Sequence, residues 1–172
     1  IQGNSANNHG GGLYIGQNST ITSLTDSVIK GNTATSSGGG LALEYNSTAT
    51  ITGSQVSENN AIWGGGITVE HDSNLTLNNV NISTNTANNG GGIYNTSNSQ
   101  LTVNGGTFSG NEAQQGSAIY NADSASATIN GGTTFSANKG AGATVHNASE
   151  MTFDTSNGKD IVFENNTTAS SI

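Results

Sequence analysis

Glu44 and Glu70 lie 26 residues apart, and His71 and Asp72 follow directly on the second of them. Carboxylates drawn together from distant positions can raise one another's pKa, share a calcium ion, or serve as acid and base on a glycoside. Tyr94 and Tyr120 are also 26 apart. Stacked aromatic rings could offer their faces to a sugar or to another protein. Both ideas require that 26 residues bring the chain back to the same place.

The spacing of a short phrase, an apolar residue three places before an asparagine, says that it does. The phrase ends at Asn4, Asn32, Asn59, Asn85, Asn111, Asn138 and Asn166, with intervals of 28, 27, 26, 26, 27 and 28 residues. A period held over the whole chain marks a repeat array in which each unit contacts its neighbours. Three apolar columns repeat with it: Leu13 to Val145 after the glycines, Leu24 to Phe153 about ten residues later, and the apolar residue of the phrase itself. Within each arm the alternation has a period of two, as in Leu75-Thr76-Leu77, so the arms are short strands.

Three short strands per unit and no helix between them predict an all-β, right-handed parallel β-helix of about 27 residues per turn. The hand follows from the preference of parallel crossovers. Residues 1–172 then form a single solenoid segment of six to seven turns, about 30 Å long at one strand spacing per turn. The apolar phrase is already present at Ile1 and still present at Phe163, so the segment is expected to come from a longer array.

The corners carry their own residues. Glycine triplets such as Gly64 to Gly66 precede the first strand where positive φ and close approach are needed. The Asn4 to Asn166 column is expected to stack as a ladder of amides. A second ladder is expected at Asn95, Asn121 and Asn147, where Ile15, Leu43 and Val69 stood in earlier turns. The interval from Phe153 to Phe163 is five residues longer than its counterparts, so Asp154 to Asp160 should bulge as a loop.

Composition narrows the partners. Three lysines and no arginine against eleven acidic residues give a net charge of −8, which provides no footprint for nucleic acid, heparin or anionic lipid. Cysteine is absent, and no apolar run is long enough for direct membrane insertion of this segment. Neither a cofactor nor a metal is expected.

Phe108 to Asn111, Phe135 to Asn138 and Phe163 to Asn166, with the Gly-Gly-x-Ile/Leu-Tyr phrases, resemble the paired repeats of chlamydial polymorphic membrane proteins and of AIDA-type autotransporter passengers. A glycine triplet stands where the chlamydial pattern has Gly-Gly-Ala. The resemblance covers essentially the whole chain. It implies a passenger displayed on the surface of a Gram-negative bacterium, exported through an outer-membrane barrel outside this sequence. It also implies adhesion to a host cell-surface protein or glycan, or self-association with passengers on sister cells. It carries over no catalytic residue.

Each candidate site has a plainer reading. Glu44, Glu70 and Asp72 are expected in a solvated loop after the first strand rather than in a cleft. The outward column Tyr14, Ala42, Thr68, Tyr94, Tyr120 and His146 is expected to stabilise adjacent strands, with Tyr94 and Tyr120 the best binding residues within it. The threonines at 50, 76, 102, 128 and 152 form a flat hydroxyl array similar to that of ice-binding solenoids, although the column beside it is mostly asparagine. Function is therefore expected to be non-catalytic adhesion or self-association. The alternative is a carbohydrate-binding or carbohydrate-active β-helix, and an ice-binding solenoid is more remote.

Overall fold

The computed structural model describes residues 1–168. The far end of the expected array, up to Ile172, lies outside the described residues. Every strand pairing among them is parallel, and each strand pairs with its equivalent about one repeat away. The first arms, from Leu13–Ile15 to Val145–Asn147, stack as one six-stranded sheet. The second and third arms form a nine-stranded sheet, and two-residue strands after the asparagine corner make two smaller sheets. The chain is a parallel β-solenoid of about six turns with no helix among the described residues, so none is long and apolar enough to cross a membrane.

The second and third arms do not stay separate. Early turns break between them, as in Thr48–Thr52 and Gln55–Ser57, but central turns run through as single strands, Asn74–Ser83, Gln100–Ser109 and Ser126–Ser136. The register slips at Asn104/Gly106, where Gly105 and Gly106 take φ of 74° and 101°. A bulge there bends the strand without ending the ladder.

Side chains from the three arms meet inside the coil. Leu41, Ile67, Ile93 and Ile119 are fully buried, as are Ile51, Val103 and Ile129. The third column ends in a ring stack, Phe108 to Phe135 at 5.1 Å and Phe135 to Phe163 at 4.6 Å between centroids. Each fully buried side chain of these columns contributes about 1.5–3 kcal/mol by leaving water, whereas Phe163, at the end of the stack, stays half exposed. Because a residue buries itself chiefly against its equivalents above and below, the core is a set of vertical columns.

Backbone polarity at the corners is satisfied by amide ladders. Asn111 Nδ2 donates to Asn138 Oδ1 at 3.0 Å and to the Ile82 carbonyl at 2.9 Å, while Asn111 N donates to the same Asn138 oxygen. The same chain of Nδ2-to-Oδ1 bonds joins Asn4, Asn32, Asn59, Asn85, Asn111, Asn138 and Asn166. A second run joins Asn95 to Asn121 and Asn121 to Asn147, each at 2.8 Å. It starts at Asn95 because the residue above is Val69, which has no amide to donate. That leaves Asn95 Oδ1 buried without a partner.

A further ladder is made of serines. The backbone N of Ser19, Ser47 and Ser73 each donates to the hydroxyl of the next serine along, ending at Ser99. Their intervals of 28, 26 and 26 were available in the sequence.

The glycine triplets divide their labour. Gly64 takes φ of 60°, whereas Gly65 has an ordinary φ but would place a Cβ 2.4 Å from the Thr86 carbonyl oxygen. The first glycine makes the turn and the second admits the next coil. The extra residues after Phe153 loop outward, and Ser156 N donates to Asp154 Oδ1 at 2.8 Å to close the loop's start. That bond holds the Asp154 carboxyl below its usual range.

Candidate functional site

Register places the candidate residues on one side of the rod. Leu43 pairs with Val69, so Glu44 and Glu70, the next residues, leave the first arm on adjacent turns. Tyr94 pairs with Tyr120, and Tyr120 with His146.

The acidic residues part company there. Contrary to the solvated-loop expectation, Glu44 is 1% exposed, Glu70 is half-buried, and Asp72 alone stands in solvent. The reason is the corner that follows. His71 and Asp72 both take positive φ, 54° and 60°, as do Tyr45 and Asn46 one turn earlier, and this tight corner turns Asp72 away while the glutamates stay beside the strand. Among the described residues no group of three or more His, Cys, Asp or Glu side chains is placed to hold a metal ion.

Glu44 is covered by His9 and Ser37, which no repeat interval of the sequence links to it. His9 Nδ1 lies 2.9 Å from Glu44 Oε1 and 2.5 Å from the hydroxyl of Ser37, which is itself 1% exposed. A single ring nitrogen faces both partners, and Glu44 Oε1 is left without a hydrogen bond. A hydrolytic relay would need the imidazole to bridge base and nucleophile through two nitrogens. The buried hydroxyl and the shared nitrogen make this cluster a structural plug.

Glu70 feels that plug. Burial, and next the Glu44 carboxylate, push its pKa up, while His71, His9 and the Ser37 hydroxyl pull it down. His71 Nδ1 is 3.9 Å from Glu70 Oε2, too far for a hydrogen bond, and its ring stacks on Tyr45 at 4.6 Å and 13°.

The tyrosines form part of a longer row. Tyr94 and Tyr120 centroids are 5.3 Å apart with planes 30° apart, and Tyr120 stacks on His146 at 4.4 Å and 21°. Trp63 extends the row at the other end, 5.5 Å from Tyr94. Its place was hidden in the sequence because it belongs to a different column, paired with Ser37 and Asn89 just before a glycine triplet. Trp63 covers Tyr94 where the register partner, Thr68, is too small to do so.

Two expectations about this face are corrected. Ala42 and Thr68 do not point into solvent: both are fully buried, and the Thr68 hydroxyl donates to the Trp63 carbonyl at 3.0 Å. Nor do Tyr94 and Tyr120 present open ring faces, because each covers the other and their outer faces meet Trp63 and His146. What the row offers outward is edges and polar tips. Burial also raises the Tyr94 phenol pKa, so it stays a neutral donor.

The parallel coil, its period and its glycine corners agree with one comparison. The model of the right-handed β-helix region matches residues 1–168. The chain belongs to the right-handed β-helix family. No curated protein and no solved structure matches it significantly. Within this β-helix, then, the lateral row from Trp63 to His146 and the Glu70 shoulder beside it are the surfaces that chemistry distinguishes.

Proposed function

We propose that this β-helix is a non-catalytic adhesion or self-association module, part of an autotransporter-like passenger on the surface of a Gram-negative bacterium. It binds a host cell-surface protein or glycan, or passengers on sister cells, along its side. The observation that carries this reading is the row Trp63, Tyr94, Tyr120 and His146. Its rings step along the axis at about the strand spacing of 4.8 Å and are fixed from below by paired backbone. A rigid amphipathic strip with Trp and Tyr at its centre is the composition from which interface hot spots are built. The net charge of −8 favours neutral or basic partners over polyanions.

The carboxylates favour binding over hydrolysis. Glycoside cleavage uses two carboxyl groups facing one substrate, and here Glu44 is sealed under His9 and Ser37 while Asp72 turns outward. A carbohydrate-binding role without cleavage stays compatible with the same row. The threonine column at 50, 76, 102 and 128 is in register, but the neighbouring column consists of Asn78, Asn104 and Asn130 tied to one another, which breaks the paired hydroxyl array of an ice-binding face.

Display of residues 1–172 on a non-adherent bacterial host tests the proposal. Clumping or attachment to host cells above an empty display vector is expected. Depolymerisation of a polysaccharide that Glu70→Gln abolishes would transfer the chain to the enzymes.

A further inference from the structure

The outward loop of residues 154–160 does not hang free. Gly132 N donates to the Asp160 carbonyl at 2.7 Å, and Asn157 Nδ2 donates to the Gly131 carbonyl at 2.9 Å, so the loop is laced to the bulged corner of the preceding turn. Between loop and corner lies a hollow of about 400 Å³, within the range of small-ligand sites. It sits where the second arm passes into the third, whereas the ring row belongs to the first-arm side.

The hollow is polar and unusually amide-rich. Asn130 Nδ2 donates to Asn104 Oδ1 at 2.6 Å and Asn104 Nδ2 to Asn78 Oδ1 at 2.8 Å. Each amide nitrogen carries two protons, so the ladder uses one and leaves the other on Asn104 and Asn130. Asn130 Oδ1 has no donor above it, because its register partner is Asp154. Gly105, Gly131 and Gly132 line the space with bare backbone.

Lys159 completes it. Its stem runs beside Gly132, with Cδ 3.3 Å from where a Cβ would stand, and no carboxylate among the described residues pairs with its ammonium. In a chain with eleven acidic residues and three lysines, an unpaired ammonium at a cavity lined by amides is a specific arrangement.

We propose that this hollow binds a terminal sugar residue carrying one carboxylate. Lys159 pairs with the carboxylate, and the spare N–H groups and Asn130 Oδ1 bond the hydroxyls. The volume admits a single sugar, and the net charge of −8 selects an isolated acidic residue over a polyanionic chain. The site does not depend on the adhesion reading, since it is assayed with free sugar.

The experiment is a titration of the isotopically labelled chain with N-acetylneuraminate, following the side-chain amide resonances of Asn104, Asn130 and Asn157 by NMR. Acetate and N-acetylglucosamine serve as carboxylate-only and neutral-sugar controls. Saturable shifts at those amides are expected with the acidic sugar, and weaker ones with either control. Lys159→Gln, at an exposed position, is expected to leave the spectrum folded and weaken binding about tenfold, the loss of one charge-assisted hydrogen bond. Unchanged amides at tens of millimolar sugar overturn the proposal. So do an affinity that Lys159→Gln does not alter, and shifts that acetate reproduces in full.

Discussion

Tyr94 and Tyr120 occupy the same position on adjacent turns, ring centroids 5.3 Å apart, and each covers a face of the other. The coupling of such cross-strand aromatic pairs is about 0.5–1.5 kcal/mol beyond their separate burial. A double-mutant cycle of Tyr94→Ala and Tyr120→Ala in urea should return a coupling of that size. Strict additivity would mean that the rings are neighbours without being partners.

The amide ladder predicts a steeper loss in the middle of the rod than at its edge. Asn111 accepts from Asn85 N and Nδ2 and donates to Asn138 and Ile82, all in the buried interior. Asn111→Ala orphans several of these groups at about 1–3 kcal/mol each, so a loss of about 3 kcal/mol or more is expected. Asn4, exposed and bonded on one side only, should lose less than about 1 kcal/mol on the same change. Equal losses at the two positions in denaturant melts would contradict the ladder's energetic role.

Glu70 gives the array a pH dependence with a definite sign. Burial and Glu44 raise its folded pKa, so the folded state holds the proton more tightly than the unfolded chain. The stabilisation from this group is complete below the ordinary glutamate value of 4.5 and is lost as pH rises through the raised value. Glu70→Gln keeps the neutral form at every pH. Its Tm should exceed that of the native chain at pH 7, with the gap closing as the pH falls below 4.5. A gap that widens toward acid would reverse the assignment.

The period, the strand arms, both asparagine ladders and the late loop could be read from the sequence because in a solenoid each residue's main neighbour is its own equivalent one turn away. A fixed interval such as Asn85 to Asn111 therefore reports a contact directly. The plug of His9, Ser37 and Glu44 could not be read so, because it joins two columns around a corner, and no interval encodes how far the Glu44 side chain folds back. Trp63 was hidden for the same reason: it leans from the glycine column into the place left by Thr68. Ring orientation in the Tyr94 row was equally silent, since the interval of 26 gives proximity but not which faces are covered.

If the lateral row is the adhesive surface, bacteria displaying the module with Trp63→Ala, Tyr94→Ala and Tyr120→Ala combined should lose attachment. A control carries Thr76→Ala and Thr102→Ala on the second-arm face, and melting curves of the purified chains confirm that both remain folded. Clumping and host-cell attachment are expected to fall to the level of the empty vector in the ring variant and to persist in the threonine variant. Attachment that survives loss of the rings, or that disappears with the threonines instead, would contradict an adhesive role for the row.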